Sequence, residues 1–412
     1  MQFSGNNTAH QSAIVSAPLP PLLHIAHNGV VVAQAAFVLL APFVSLAAGA
    51  PTILDRMVDV LFATYLVLIG LNCVFGRPSF RLLAGLFIVG AYGLTGITFA
   101  IVNENFSGFI YEAKLLVSLA LLFCLLDKRP TVSETSLKIL FYSFITAACI
   151  FLVFFPGERL HVVNESNYLC LYIGVAMFSY LSWKGKTVTS KTVAGLGVFT
   201  LLLIVATQSR TGAGFLVFTW LIYIYERFGF RTTVFSILIM GITGVVGTVV
   251  AVAVNAPIVK RFEELKDPGK VDRFIFMQEA AKIVKARPFH ENIIRLSYAS
   301  PVSTRVDGKM KWLTNKGKHG TGIGQLYPHH FHLAYLRILV GHGFLPLAIY
   351  LIAIALLWKV NKYLAIGVGV CSLSMSVPYL SIFFGALQIA MAFPTTRRYP
   401  QQPEMPLYKP LK

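Results

Sequence analysis

Residues 232–254, TTVFSILIMGITGVVGTVVAVAV, contain no charged side chain, and the chain then changes abruptly to NAPIVKRFEELKDPGKVDRF over 255–274. At about 1.5 Å of rise per residue, a helix of that length matches a hydrocarbon core roughly 30 Å thick. The polar stretch behind it has the composition of chain in water. This junction predicts a membrane-spanning helix followed by an extramembrane loop, and the rest of the sequence repeats its first half. Comparable apolar runs lie at roughly 30–50, 55–73, 82–102, 112–127, 137–156, 167–183, 192–208, 213–227, 332–358, 363–378 and 380–395. The expected fold is therefore all-α and polytopic, with about twelve spans. The short fourth and eighth runs, and the division of the last two only at Val377-Pro378-Tyr379, widen the range to ten to twelve.

Connecting charges give an orientation. With the N-terminus inside, the cytoplasmic connections hold Arg77 and Arg81; Lys128, Arg129 and Lys138; Lys184, Lys186 and Lys191; Arg227 and Arg231; and Lys359 and Lys362. The tail adds Arg397, Arg398, Lys409 and Lys412, whereas the outer connections carry Arg56, Lys114, Arg159 and Arg210 among several acids, including Glu112. That alternation is the positive-inside pattern. The expected layout is a cytoplasmic lead-in at 1–29, spans one to nine at 30–254, a periplasmic loop at 255–331, spans ten to twelve at 332–395 and a cytoplasmic tail at 396–412. The lead-in has no Lys or Arg, so the first run reads as a span rather than a cleaved signal peptide.

Composition agrees: 56% of the 412 residues are hydrophobic and only 13% charged, half the charged fraction usual for soluble domains. The net charge of +18 would suggest nucleic acid in a soluble chain; here no nucleic-acid partner is expected. Cys73, Cys124, Cys149, Cys170 and Cys371 all fall in or beside apolar runs without a CxxC, which suits packing rather than disulfides or metal.

The loop 255–329 holds fourteen Lys or Arg and seven Asp or Glu. Two readings stand: charge needed for solubility, or a basic surface facing an anionic substrate such as a lipid-linked phosphate. Within it, Asp272 to Arg287 has helical periodicity with Phe274, Met277, Ala281 and Val284 as one stripe, and Pro288 ends the helix. The stretch from Glu291 to Lys318 lacks a clear period, and Gly320, Gly322 and Gly324 make a flexible approach to the tenth span.

Two places combine ionisable groups with the outer boundary. Thr207-Gln208-Ser209-Arg210-Thr211-Gly212 is a tight junction, where Arg210 either snorkels to headgroups or binds phosphate. Gly212 and Gly214 there suit close helix packing. The second is Tyr327-Pro328-His329-His330-Phe331-His332, leading into Leu333-Ala334-Tyr335-Leu336-Arg337 and on to His342-Gly343. Six of the ten histidines lie from His290 to His342, but no usual metal-ligand set is complete. A histidine acting as general base fits better, its ordinary pKa near 6.5 being suited to taking a proton from a sugar hydroxyl. Glu279 and Glu291 are either a glycosidase-like pair or solvated carboxylates.

With these residues in view, the chain resembles the O-antigen ligase and polymerase superfamily of bacterial inner-membrane proteins, which includes exopolysaccharide polymerases. The likeness covers roughly residues 160–360. His330-Phe331-His332-Leu333, with Leu336, Leu339, His342 and Gly343, keeps the spacing of the family's tenth span; Ser209-Arg210-Thr211-Gly212 resembles its Ser-Arg junction, Ser166-Asn167 its Pro-Asn helix start, and Arg273 with Phe274, Ala280 and Pro288 its loop helix. Leu333, Arg337 and Gly341 depart from the usual Asn, Glu and Glu, so either His330 orients the catalytic histidine or the site has diverged.

The resemblance implies an inverting glycosyltransferase that needs neither cofactor nor metal and moves glycan from an undecaprenyl-diphosphate-linked donor to an acceptor sugar. His332 is the implied base, with His330 beside it; Arg210, Arg273 and Arg337 hold the diphosphate; Ser209, Thr211 and Asn167 support them. Arg337 has an alternative partner in a carboxylate such as Glu291. Polymerisation of repeat units is the leading expectation, ligation to lipid A core the next, and a non-catalytic or transport role in polysaccharide export the third. A flippase and a chain-length regulator are implied partners.

Overall fold

The computed structural model describes residues 21–46, 51–75, 78–102, 106–127, 129–154, 166–253, 272–303, 325–379 and 383–395. The tail at 396–412, the loop start Lys260 to Lys270 and the glycines at 320, 322 and 324 lie outside these residues, as does the lead-in up to residue 20. The fold is all-α. Among the described residues nine α-helices precede the loop: α1 Pro21–Leu46, α2 Pro51–Phe75, α3 Phe80–Val102, α4 Phe106–Asp127, α5 Glu134–Phe154, α6 Ser166–Lys184, α7 Ser190–Thr207, α8 Arg210–Phe228 and α9 Phe230–Ala253. The loop contributes α10 Asp272–Ala286 and α11 Phe289–Ile293, and after it come α12 Ala334–His342, α13 Phe344–Val360, α14 Lys362–Ser372 and α15 Phe383–Ala392.

Five stretches among the described residues are long and apolar enough to cross a membrane: Leu23–Phe43, Phe80–Val102, Gly108–Asp127, Glu134–Phe154 and Ser190–Thr207. Shorter apolar helices accompany them, as expected of a multi-pass membrane protein.

Helix α6 sits at the centre. Leu169 to Ile173 and Val175 to Phe178 are buried all round, the mark of a helix enclosed by others rather than amphipathic on a surface. It approaches α8 and α14 closely because glycines stand at the crossings. A Cβ on Gly212 would lie 2.6 Å from the Cβ of Cys170, and one on Gly174 or Gly367 would strike the Phe215 ring. Gly214, by contrast, faces open space, so only the first glycine of the Gly-x-Gly serves packing. Helices α3, α7, α9 and α13 expose Phe87, Leu94, Leu201, Phe235, Leu238 and Ile352, an apolar perimeter suited to lipid.

The structure departs from the sequence reading in four places. Helix α1 starts at Pro21, ahead of the expected Val30, because its early polar residues find partners on the start of α5: His24 Nδ1 lies 2.6 Å from Thr131 Oγ1, and Asn28 Oδ1 accepts from Ser133 N at 2.7 Å and Ser136 Oγ at 2.8 Å. The expected tenth span is two helices, broken at Gly343, whose φ of +100° is open only to glycine and whose absent Cβ would sit 2.8 Å from the carbonyl oxygens of Asn292 and Ile293. On α10 the buried stripe is Phe276, Ala280 and Ile283, while Phe274 and Met277 are half exposed. Finally, α14 and α15 are shorter than the expected spans. The chain leaves the end of the bundle marked by Lys362 and Glu226, reaches Thr211 through Ser374, and returns to the backbone of Val360 at Thr395. The turn after α14, which includes a short 3-10 helix at Val377–Tyr379, is buried from Met375 to Tyr379, where protein rather than lipid surrounds the backbone.

Candidate functional site

The junction between α7 and α8 is two residues long. Gln208 takes a left-handed conformation (φ +46°), and Ser209 caps α8 by accepting from Gly212 N at 2.8 Å. Without that cap the first amides of α8 would lack a partner. The cap places Arg210 and Thr211 in the first turn, at the positive end of the helix. Thr211 Oγ1 then meets two other segments: Arg273 of α10 donates to it from Nη2 at 3.5 Å, and Ser374 after α14 donates to it at 2.6 Å. Helix α10 is thus anchored on the same end of the bundle as the Arg210 junction.

One turn further along α10, Phe276 packs against Phe331 and His332, with ring centroids 6.1 Å and 5.7 Å apart. His332 itself is exposed. Its backbone is not free to wander: Ser376 Oγ donates to the His332 carbonyl at 3.0 Å, and Ala334 N donates to Met375 O at 3.0 Å. The turn after α14 therefore positions both the histidine, through its backbone, and Thr211, through Ser374. Thr211, Arg273 and His332, separate in sequence, come together around α10.

The other site candidates sit differently. His330 closes the 3-10 turn Pro328–His330, its Nδ1 accepting from Tyr327 N at 2.9 Å, which commits one ring nitrogen to the chain's own backbone. The α-helix begins only at Ala334, so His330 and Arg337 do not share one helix. Asn167 lies in the first turn of α6.

Arg337 is buried. Its Nη2 lies 2.9 Å from Glu112 Oε1 and also donates to Tyr111 O at 2.9 Å; its guanidinium carbon stands 3.5 Å from the Tyr379 ring centroid. Its carboxylate partner is thus Glu112 of α4 rather than Glu291, and Glu112, expected in an outer connection, is only 1% exposed. His342 Nε2 lies 3.3 Å from the same carboxylate, and the Tyr92 hydroxyl lies 3.1 Å from His342 Nδ1 and 2.9 Å from Arg295 O. This network ties α3, α4 and α12 to the loop. Tyr298 completes the attachment by stacking on His342 and filling the space above Gly96 of α3. A glutamate at the head of an apolar run is costly unless paired, and that was the signal in the sequence for Glu112. Nothing local marked Ser374 or Phe276.

Chemically, an imidazole one turn along α10 from an arginine bonded to a threonine hydroxyl at a helix N-terminus brings together groups of the kind that bind an anion and take up a proton. No protein-family model matches the chain, and no curated protein shows significant similarity to it.

Proposed function

We propose that this chain is a glycosyltransferase of bacterial surface-polysaccharide assembly, related to the O-antigen ligase and polymerase superfamily. It works at the periplasmic face of the inner membrane, with about twelve spans, cytoplasmic termini and residues 255–331 outside. The observation that carries this reading is the docking of α10 on the bundle, which sets Arg273 against Thr211 and Phe276 against His332. Arg210 and Arg273 hold the diphosphate of an undecaprenyl-linked donor, with Ser209 and Thr211 shaping the junction. The acceptor hydroxyl gives its proton to His332 as its oxygen attacks the anomeric carbon. The bond from that carbon to the phosphate oxygen breaks, its electron pair leaves with undecaprenyl diphosphate, and the configuration inverts. Arginine stabilises the leaving charge, so the step does not call for a metal. Arg337 belongs to the framework under the site rather than to the diphosphate.

Polymerisation of repeat units is the favoured reaction, with ligation to lipid A core as its close alternative; a flippase and a chain-length regulator would work beside the enzyme. Purified protein given labelled lipid-linked repeat units separates the two: chain growth without added acceptor marks a polymerase, and transfer only to core marks a ligase. His332→Ala should lose about 10²-fold or more of transfer and accumulate lipid-linked units, as should Arg210→Ala. A His332→Ala protein that inserts normally and assembles glycan at the wild-type rate would sink the assignment.

A transport role has one observation in its favour. Inside the bundle the Tyr172 hydroxyl donates to Gln34, Gln34 donates to Gln388, and Gln388 donates to the carbonyl of the buried His27. Polar groups buried among membrane helices are what a translocation path uses. If that role holds, Gln34→Leu rather than His332→Ala will abolish export in the same cells.

A further inference from the structure

The C-terminal half of α10 borders a cavity of about 370 Å³. Its wall on α10 begins at Glu279, one turn beyond Phe276, so this space lies next along the helix from the site at His332 and is lined by none of the residues assigned to that site. Two guanidiniums line it. Arg295 is 5% exposed and donates from Nη2 to the carbonyls of Ser300 at 3.2 Å and Pro301 at 2.9 Å, leaving Nε and Nη1 without a hydrogen-bond partner among the described residues. The Arg287 side chain is 6% exposed and donates from Nη1 to Val340 O at 2.9 Å, while its Nη2 has no such partner.

The carboxylates on the wall leave those donor nitrogens without a hydrogen bond, although Glu291 forms an ion pair with Arg287. Glu279 is bonded to Lys282 at 2.6 Å, and Glu291 stands 3.8 Å from Arg287 Nε, beyond hydrogen-bond reach. Burial first, and then the neighbouring charge of Arg287, push Arg295 down to about 10; burial lowers Arg287 as well. Both remain cationic at neutral pH. Three nitrogens with protons to donate therefore lie unpartnered on two buried guanidiniums that line one cavity.

We infer that this cavity binds an oxyanion, the carboxylate or phosphate of a sugar-sized ligand, held between Arg287 and Arg295. The guanidinium pair supplies charge and donors, and Glu279 and Glu291 at the wall can accept from ligand hydroxyls, which fits an acidic sugar better than a bare ion. The oxyanion site stands on the cavity alone; its assignment to an acidic residue of the glycan rests on the transfer function proposed above.

The test is ligand-dependent thermal unfolding of the purified full-length protein in uncharged detergent, titrated with inorganic phosphate, glucuronate or glucose. Ligand bound to the folded state raises the midpoint in a saturable way. Glucuronate, phosphate or both should do so and glucose should not; a response to glucuronate alone marks a carboxylate source, and to phosphate alone a phosphate source. Arg287→Gln should weaken apparent affinity at least tenfold. Ala286→Glu should do the same from the exposed rim without touching any of the arginine bonds, and Lys191→Gln, at an exposed position at the start of α7, should leave it unchanged. No response to either anion, an equal response to glucose, or anion binding that survives Ala286→Glu overturns the inference. Glycan transfer is measured separately: anion binding without transfer sinks the proposed function alone, and transfer without anion binding sinks this site alone.

Discussion

Glu112 and Arg337 show how one pairing changes what a residue is for. An arginine seven positions after His330 in a basic, histidine-rich segment invites a role in phosphate binding. In the fold its charge is matched by a carboxylate, a backbone carbonyl and an aromatic face, which commits Nε and Nη2 to the framework. Breaking a buried pair by removing one partner leaves an uncompensated charge, so Glu112→Gln should destabilise the protein by about 3–5 kcal/mol. Replacing both partners with leucine should recover much of that loss. Thermal unfolding in detergent measures both; a neutral Glu112→Gln would show that the pair is not structural. His342 and Tyr92 share this network, so the same change should also loosen the loop at Arg295.

Helix α10 is the element on which both proposed sites depend. Two apolar stripes run along it, and the helical period allows either to face inward. Phe276, Ala280 and Ile283 are chosen because Leu326, Phe331, Leu333 and Val340 offer them a partner surface. Phe276→Ala should therefore cost about 3–5 kcal/mol of docking, the usual range for emptying a buried phenylalanine site. Hydrogen exchange across 272–303 should rise in that variant while the membrane helices keep their protection. Phe274→Ala, at a half-exposed position on the same helix, is the control and should leave exchange unchanged. Equal effects from the two substitutions would mean that the docked face has been misassigned.

Across the whole molecule, the proposed topology makes a labelling prediction. In a background without the five native cysteines, a cysteine replacing Lys311 should react with an impermeant maleimide on intact spheroplasts, and one replacing Lys186 only after permeabilisation. The reverse pattern would invert the layout and put the His332 site on the wrong side for an outward-facing transferase. This rests on the charge alternation, which belongs to the connections and not to any contact inside the bundle.

That division runs through the protein. The membrane class, the helical content, the bounds of α10 and the interruption at Val377–Tyr379 are legible in the sequence. They follow from apolar run length, local period and proline, and each acts over a few residues of chain. The Arg210 junction was also legible, since a short polar break between two apolar runs leaves its charge at the boundary. The break at Gly343, the buried face of α10, the Arg337–Glu112 pair and the convergence of Arg287 and Arg295 on one cavity were not. Each depends on a distant segment: Glu112 and Arg337 are 225 positions apart, and Gly343 is required because Asn292 and Ile293 pass against it. Local chemistry states what a residue can do, whereas burial and the nearest opposite charge select which of those things it does.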